Sequence, residues 1–359
     1  MNYTMMKHKI FKNKKFIFAS LGLVFLILIG GVVFFYDLKQ NIISNSEILL
    51  IQSNDAKDCL FKNQLSGVCL SVEQKNQWPV AIMIDNHPDA WPQFGLSKAS
   101  LVYSTLVEGG ATRLMAVFSN TEALKIGPVR SARPYFLIWA KEIDALYGHS
   151  GGSFEAIEKI KKYEIINLEE ATSYGPLYFY RDKSKAAPHN LFTSAKNLSL
   201  ALNDFNLASS TPSFVTWKFS TDANMTRQPA QNISIDYSGM DLFDIAYSYN
   251  TTTDLYLRFQ NKKPHTDGLN DKQIAVQTVI IQFVPEEIHL DAADRLQIDT
   301  LGEGRALIFY HGKQLIAHWS KKIITDRTIF YTESNEEVIF PPGNIWVEVV
   351  PGKRDVLVD

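Results

Sequence analysis

Residues 78–88 read WPVAIMIDNHP, and this stretch decides the fold of what surrounds it. Val80 to Ile84 is an unbroken apolar run of five, too short for a helix and without the alternation of a half-exposed strand. Such a run is expected to be a strand buried on both faces, the pattern of a sheet covered on each side. It stops abruptly at Asp85-Asn86-His87-Pro88, so polar groups are placed at a strand end, where open α/β sheets build ligand sites.

Working outward, residues 101–107 and 114–118 read as two further strands joined through Glu108-Gly109-Gly110, a hairpin with a glycine loop. Pro134 is placed to open a helix over 135–143, with Ser131 nearby as its cap. A strand at 145–148 leads into His149-Ser150-Gly151-Gly152-Ser153, and a helix over 154–163 is expected with Ser153 as N-cap. Another helix is expected over 191–207. From about residue 214 the texture becomes short β-branched and aromatic runs at 274–284, 305–310, 313–319, 328–331, 337–340 and 345–350, several separated by turn signals such as His311-Gly312. The fold class expected is α+β: a mixed α/β N-terminal domain over 76–212, then a mostly β C-terminal domain over 213–359. The roughly 280 residues involved are ample for two cores.

The N-terminus is organised differently. Five lysines lie within residues 1–15, and residues 16–36 carry no charge across 21 positions, enough helix to span a bilayer. Basic residues on the short leading segment predict a cytoplasmic N-terminus and an extracytoplasmic remainder. An uncleaved anchor is expected over a cleaved signal peptide, because no small-residue cleavage site follows Gly30-Gly31. Residues 37–75 read as a stem, in which Cys59 and Cys69 are expected to close a disulfide outside the membrane. Without residues 1–36 the chain has 31 basic against 38 acidic residues. That acidic balance argues against bulk nucleic-acid binding, which needs a basic face.

Between residues 77 and 210 arginine occurs only in short polar motifs: Arg113 in GGATR, Arg130 and Arg133 in GPVRSARPY, and Arg181 in YFYRD. A guanidinium grips carboxylate or phosphate through a planar fork of donors and tolerates partial burial better than lysine. With Asp85, Asn86 and Glu108 these arginines are expected to form either a polar ligand pocket or an internal network that neutralises itself. Ser150, Gly151 and Gly152, between a strand and a helix start, could present backbone N–H groups to an anion. HSGGS is not G-x-S-x-G, so a serine hydrolase is not expected.

Asp85, Glu108, His149 and His189 are the candidate catalytic groups. The alternative for each histidine is a hydrogen bond that merely fixes a loop. Asp85, His87, His149, His189, His265 and Asp267 are of metal-ligating types, yet no H-x-x-x-H or HExxH spacing groups them, and no metal site is expected. His265 and Asp267, with Arg258, either complete a cleft between the two domains or serve as turn residues.

Taken together, PVAIMIDNHPDAWPQFGLSKA, VEGGATRLMAVF, KIGPVRSARPYF, GHSGGS, YFYRD with the APHN that contains His189-Asn190, and YLRFQNKKPHTDG resemble the YerB-like extracytoplasmic lipoprotein-type family, defined by a two-part domain of unknown function. The likeness runs over residues 78–352. It implies an α/β part, a β-rich part and an envelope location, and it brings no established activity. The family's lipid-attachment cysteine is absent here, a membrane helix standing in its place. More weakly, the order GPVRSAR, HSGGS, YFYRDKSKAAPHN is similar to the LytR-CpsA-Psr wall-polymer ligases, whose arginines hold a polyprenyl pyrophosphate. Two functions are therefore expected. One is binding of an anionic wall component, lipid-linked precursor or partner protein; the other is phosphotransfer or hydrolysis on a phosphorylated envelope lipid or polymer. No cofactor is required by the sequence, magnesium entering only under the second.

Overall fold

The computed structural model describes residues 59, 61–71, 77–221, 231–352 and 354–359. The anchor expected at 16–36, its basic leader and most of the stem lie outside the described residues. Among those described, no helix is long and apolar enough to cross a membrane. Leu60–Asp359 forms one compact unit. Cys59 and Cys69 are both disulfide-bonded.

Strand β1 (Val80–Ile84) is buried at every position, as its unbroken apolar run requires. It lies among β2 (Leu101–Leu106), β3 (Thr112–Phe118), β4 (Leu146–His149) and β5 (Ile166–Glu169). After a smaller antiparallel sheet built on β6 (Asn232–Ile235), β7 (Ile245–Asn250) and β8 (Leu255–Gln260), the chain adds β9 (Thr278–Val284), β10 (Gly302–Tyr310), β11 (Lys313–Lys321), β12 (Ile329–Thr332) and β13 (Ile345–Pro351). The last strand, β14 (Val356–Val358), joins the smaller sheet beside β6.

The expected boundary at 212/213 does not separate two sheets. One ten-stranded sheet runs in the order β12-β11-β10-β9-β13-β2-β3-β1-β4-β5. Its seam is the parallel pairing of β13 with β2, from Ile345 opposite Leu101 to Glu348 opposite Ser104. Both strands are buried along their whole length, so neither segment could leave its edge in water without exposing apolar faces and unpaired N–H groups.

Alternation across that seam defines three layers. Tyr103 points to the helical side, where its ring stacks on Trp139 of α1 (Pro134–Lys141) at 4.9 Å, and the Tyr135 hydroxyl donates to Leu106 O. Trp346 and Glu348 point the other way, onto Arg258 of β8 and Tyr247 of β7. The ten-stranded sheet is thus covered by helix on one face and by the smaller sheet on the other.

Helix α2 (Phe154–Lys162) begins at the expected Ser153, whose hydroxyl accepts from Ala156 N–H. Helix α1 differs from expectation: its N-cap is Arg133, which makes no side-chain cap bond, and Ser131 lies outside it. The helix expected over 191–207 is shorter. Leu191–Phe192 pairs as a strand with Tyr180–Arg181, and α3 covers only Ala195–Asp204 behind the Ser194 cap. The apolar Leu191 and Phe192 are buried by strand pairing, an outcome that local propensity over two residues could not foretell.

Candidate functional site

A cleft of ≈ 450 Å³ opens where β1 ends and the β2–β3 hairpin turns. Arg113, Arg130 and Arg133 line it together with Asp85, Glu108 and Gly152. Three local devices deliver these groups. Arg130 N–H donates to Met83 O, laying residues 129–132 along the end of β1. Ser150 N–H donates to Arg130 O and Ala132 N–H to Gly151 O, tying that strap to the HSGGS turn. Gly109 and Gly110 both adopt positive φ, which turns the hairpin tightly and carries Glu108 toward the strap.

The charges are unequally matched. Arg133 grips Glu108 through both fork arms, Nε to Oε1 at 2.5 Å and Nη2 to Oε2 at 2.8 Å. The Glu108 carboxyl is held below its ordinary range: the Arg133 hydrogen bond and charge outweigh the opposing effect of burial. Arg130 Nε lies 3.2 Å from Asp85 Oδ2, an oxygen that also takes a 2.7 Å contact from His189 Nδ1. Arg113 is different. It is only 8% exposed, its Nη1 donates to the backbone oxygen of Ser131, and its buried Nε has no acceptor. No carboxylate lies within ion-pair distance of it among the described residues. Burial, then the Arg133 charge, pushes its pKa down to about 10, so it stays cationic at neutral pH.

The structure does not bring every expected residue here. Arg181 sits outside the cleft, donating to Glu170 and Asn190 at 2.9 Å each, while Ser150 Oγ donates to the other Glu170 oxygen. Of the three arginines in the motifs that resemble the wall-polymer ligases, Arg130, Arg133 and Arg181, the last therefore lies outside the cleft. His149 is fully buried with both ring nitrogens engaged, at 2.8 Å from Gly151 O and 2.7 Å from Asn167 Oδ1, so it fixes the turn.

Asn86, Arg258 and His265 form a buried chain behind the cleft. Gln93 Nε2 donates to Asn86 Oδ1, His265 Nε2 meets Gln93 Oε1 at 2.9 Å, and Arg258 Nη1 donates to His265 Nδ1. Asp267, also fully buried, accepts from Gly95 N, Leu269 N, Ser97 N and Ser97 Oγ. It therefore pins two loops and leaves no oxygen for a ligand. Asp267→Ala is expected to cost about 2–3 kcal/mol of stability in chemical denaturation.

Among the charged residues lining the cleft, Arg295 is not expected from the sequence. It comes from the β-rich part, bonding Glu155 of α2 at 2.9 Å and pairing with Asp291. Its local sequence, DAADRLQ, reads as an ordinary polar turn, and nothing in it signals the cleft.

An α+β protein with a covered mixed sheet and an arginine-lined cleft at its strand ends is what the geometry defines. Two family models match it: "Protein of unknown function (DUF3048) N-terminal domain" over residues 65–208 and the corresponding C-terminal domain over 233–347. The chain belongs to that family. It is 30% identical over 295 residues to "Putative lipoprotein YerB" of Bacillus subtilis (strain 168), an alignment covering 81% of this chain and 86% of the relative. The crystal structure of the YerB protein from Bacillus subtilis is similar with a TM-score of 0.74 and 27% identity, over 83% of this chain and 99% of that one.

Proposed function

We propose that the chain is a membrane-associated, extracytoplasmic envelope protein that captures an anionic group, phosphate or carboxylate, of a wall component or lipid-linked precursor in the Arg113–Arg130–Arg133 cleft. One observation carries the reading: Arg113 is a buried cation beside a water-accessible hollow, with no carboxylate of its own. A buried charge left unpaired is costly, and an anion entering the cleft would offset that cost. Gly152 and Ser153, at the start of α2, add the positive end of a helix to the same hollow. The resemblance to a Bacillus subtilis protein named as a lipoprotein supports the membrane-associated location.

Binding is favoured over phosphotransfer because Asp85 and Glu108 already face arginines, leaving neither free as a base or a magnesium ligand. Calorimetric titration of the full chain with inorganic pyrophosphate tests the reading. Arg113→Gln is expected to weaken binding about 30-fold or more, and rising salt should weaken the parent. Arg181→Ala is expected to bind as the parent does. Equal affinity in the parent and Arg113→Gln, with both folded, would sink the proposal.

A further inference from the structure

Beside the arginines, and not part of the anion reading, lies a second constellation. His87, Asp89 and His189 each offer one ligand atom, and these atoms lie within 4.8 Å of one another. Asp89 Oδ2 is 3.5 Å from His87 Nδ1 and 3.9 Å from His189 Nε2. His87 Nδ1 accepts from Asp89 N–H at 3.3 Å, so it carries a lone pair, and an ion bound there would displace that hydrogen bond. Two ligands on a tetrahedral ion with bonds of about 2.0–2.1 Å stand about 3.3 Å apart, so the set closes once the exposed His87 and Asp89 side chains rotate toward His189. The His87 ring stacks face to face on the His189 ring with centroids 4.7 Å apart, so the two imidazoles are neighbours, and the exposed His87 ring must turn out of the stack to aim its lone pair at the same ion.

The arrangement behind His189 points the same way. Its Nδ1 lies 2.7 Å from Asp85 Oδ2, so that nitrogen carries the proton and donates it. Nε2 is then the lone-pair nitrogen, and it faces Asp89 Oδ2, another electron-pair donor. A carboxylate orienting a histidine through its far nitrogen is the usual support of a metal ligand. Asp89 is in turn placed by Lys185, whose Nζ donates to Asp89 O and Trp91 O.

We infer that His87, Asp89 and His189 form a site for a divalent transition-metal ion of the zinc class, with Asp85 as the orienting carboxylate. Two imidazoles and a single carboxylate suit zinc or its neighbours, whereas magnesium and calcium prefer an all-oxygen set. Three protein ligands leave a coordination position open, and His87 lines the arginine cleft. The cationic neighbours Arg130 and Lys185 oppose the ion and are expected to moderate its affinity.

The test is titration of the tag-free full chain with zinc against a chromophoric chelator, and with cobalt followed by visible absorption. One equivalent is expected to bind, unaffected by excess magnesium. His87→Ala should weaken binding about 100-fold or more, and Asp85→Asn about 10–100-fold. His87 is largely exposed, so its variant is expected to keep the parent's melting temperature even if His189→Ala does not. Failure of the parent to bind one equivalent of zinc, or undiminished binding by folded His87→Ala, would overturn the site.

Discussion

Glu142→Gln is expected to remove about 3–5 kcal/mol of folding stability, the loss that follows when one member of a buried ion pair is neutralised. Glu142 closes α1 and is buried with Lys321 and Arg327 around it. Lys321 Nζ donates to Oε2 at 2.9 Å, Thr328 donates through both its N–H and its hydroxyl, and the Tyr103 hydroxyl donates to Oε1 at 2.6 Å. Arg327 also stacks over Trp217 at 3.8 Å, so its guanidinium cannot swing out to water without leaving that ring. The glutamine keeps the shape and loses the charge, leaving two cations enclosed. Urea denaturation measures the difference; a change below 1 kcal/mol would mean that the cations find water or other acceptors.

The same carboxylate makes stability depend on pH with a defined sign. Burial alone would raise its pKa, but Lys321 and Arg327 overcome that and bring it from 4.5 to about 2. A depressed carboxylate stabilises the fold above its unfolded-state pKa and ceases to do so as pH falls through its folded value. A loss of about 3 kcal/mol is therefore expected between roughly pH 5 and pH 2, absent from Glu142→Gln. Parallel acid titrations of the two proteins, followed by circular dichroism, check this.

Arg258→Met is expected to be comparably damaging, at about 3–5 kcal/mol, because it strands Glu348 inside the molecule. Glu348 sits on β13 at the seam of the large sheet and accepts from Tyr237, Tyr247 and Arg258 of the smaller sheet's side. Both charged side chains have no exposed surface. The double variant Arg258→Met, Glu348→Gln is expected to recover part of the loss, since no lone charge then remains buried. A double-mutant cycle in urea gives the coupling, and strict additivity would refute the pairing. His265 supplies a second readout. Burial, and next the Arg258 charge, hold its pKa well below the usual histidine value. Removing Arg258 should therefore raise the pKa that NMR measures for the His265 ring.

These two clusters show where sequence reading reached its limit. Glu142 and Glu348 look like ordinary surface acids in KEID and WVEVV, and Lys321, Arg327 and Arg258 carry no local sign of burial. Arg258 was legible as a candidate only through its neighbourhood with His265 and Asp267, and its partner turned out to be a glutamate 90 residues away. By contrast, Arg113, Arg130 and Arg133 were legible as a group because each sits beside glycine, serine or proline next to a strand or helix end. Arg181 also lies in a short polar motif, yet it pairs with Glu170, to which Ser150 of the HSGGS turn also donates. Residue type and turn context cannot distinguish a guanidinium facing a cleft from one facing a neighbouring loop.

What the sequence determined by itself was local: the doubly buried Val80–Ile84, the Glu108–Gly110 hairpin turn, the Ser153 cap of α2 and the β-rich texture after residue 214. Each depends on burial period, backbone φ or capping within about a dozen residues, and such terms are written into neighbouring side chains. The tertiary structure alone decided that Ile345–Pro351 lies beside Leu101–Leu106, that Arg295 reaches the cleft, and that His189 stacks on His87. These contacts join positions roughly a hundred or more residues apart. They are selected by which apolar faces and buried charges must be covered once the whole chain has collapsed, a condition that no single segment carries.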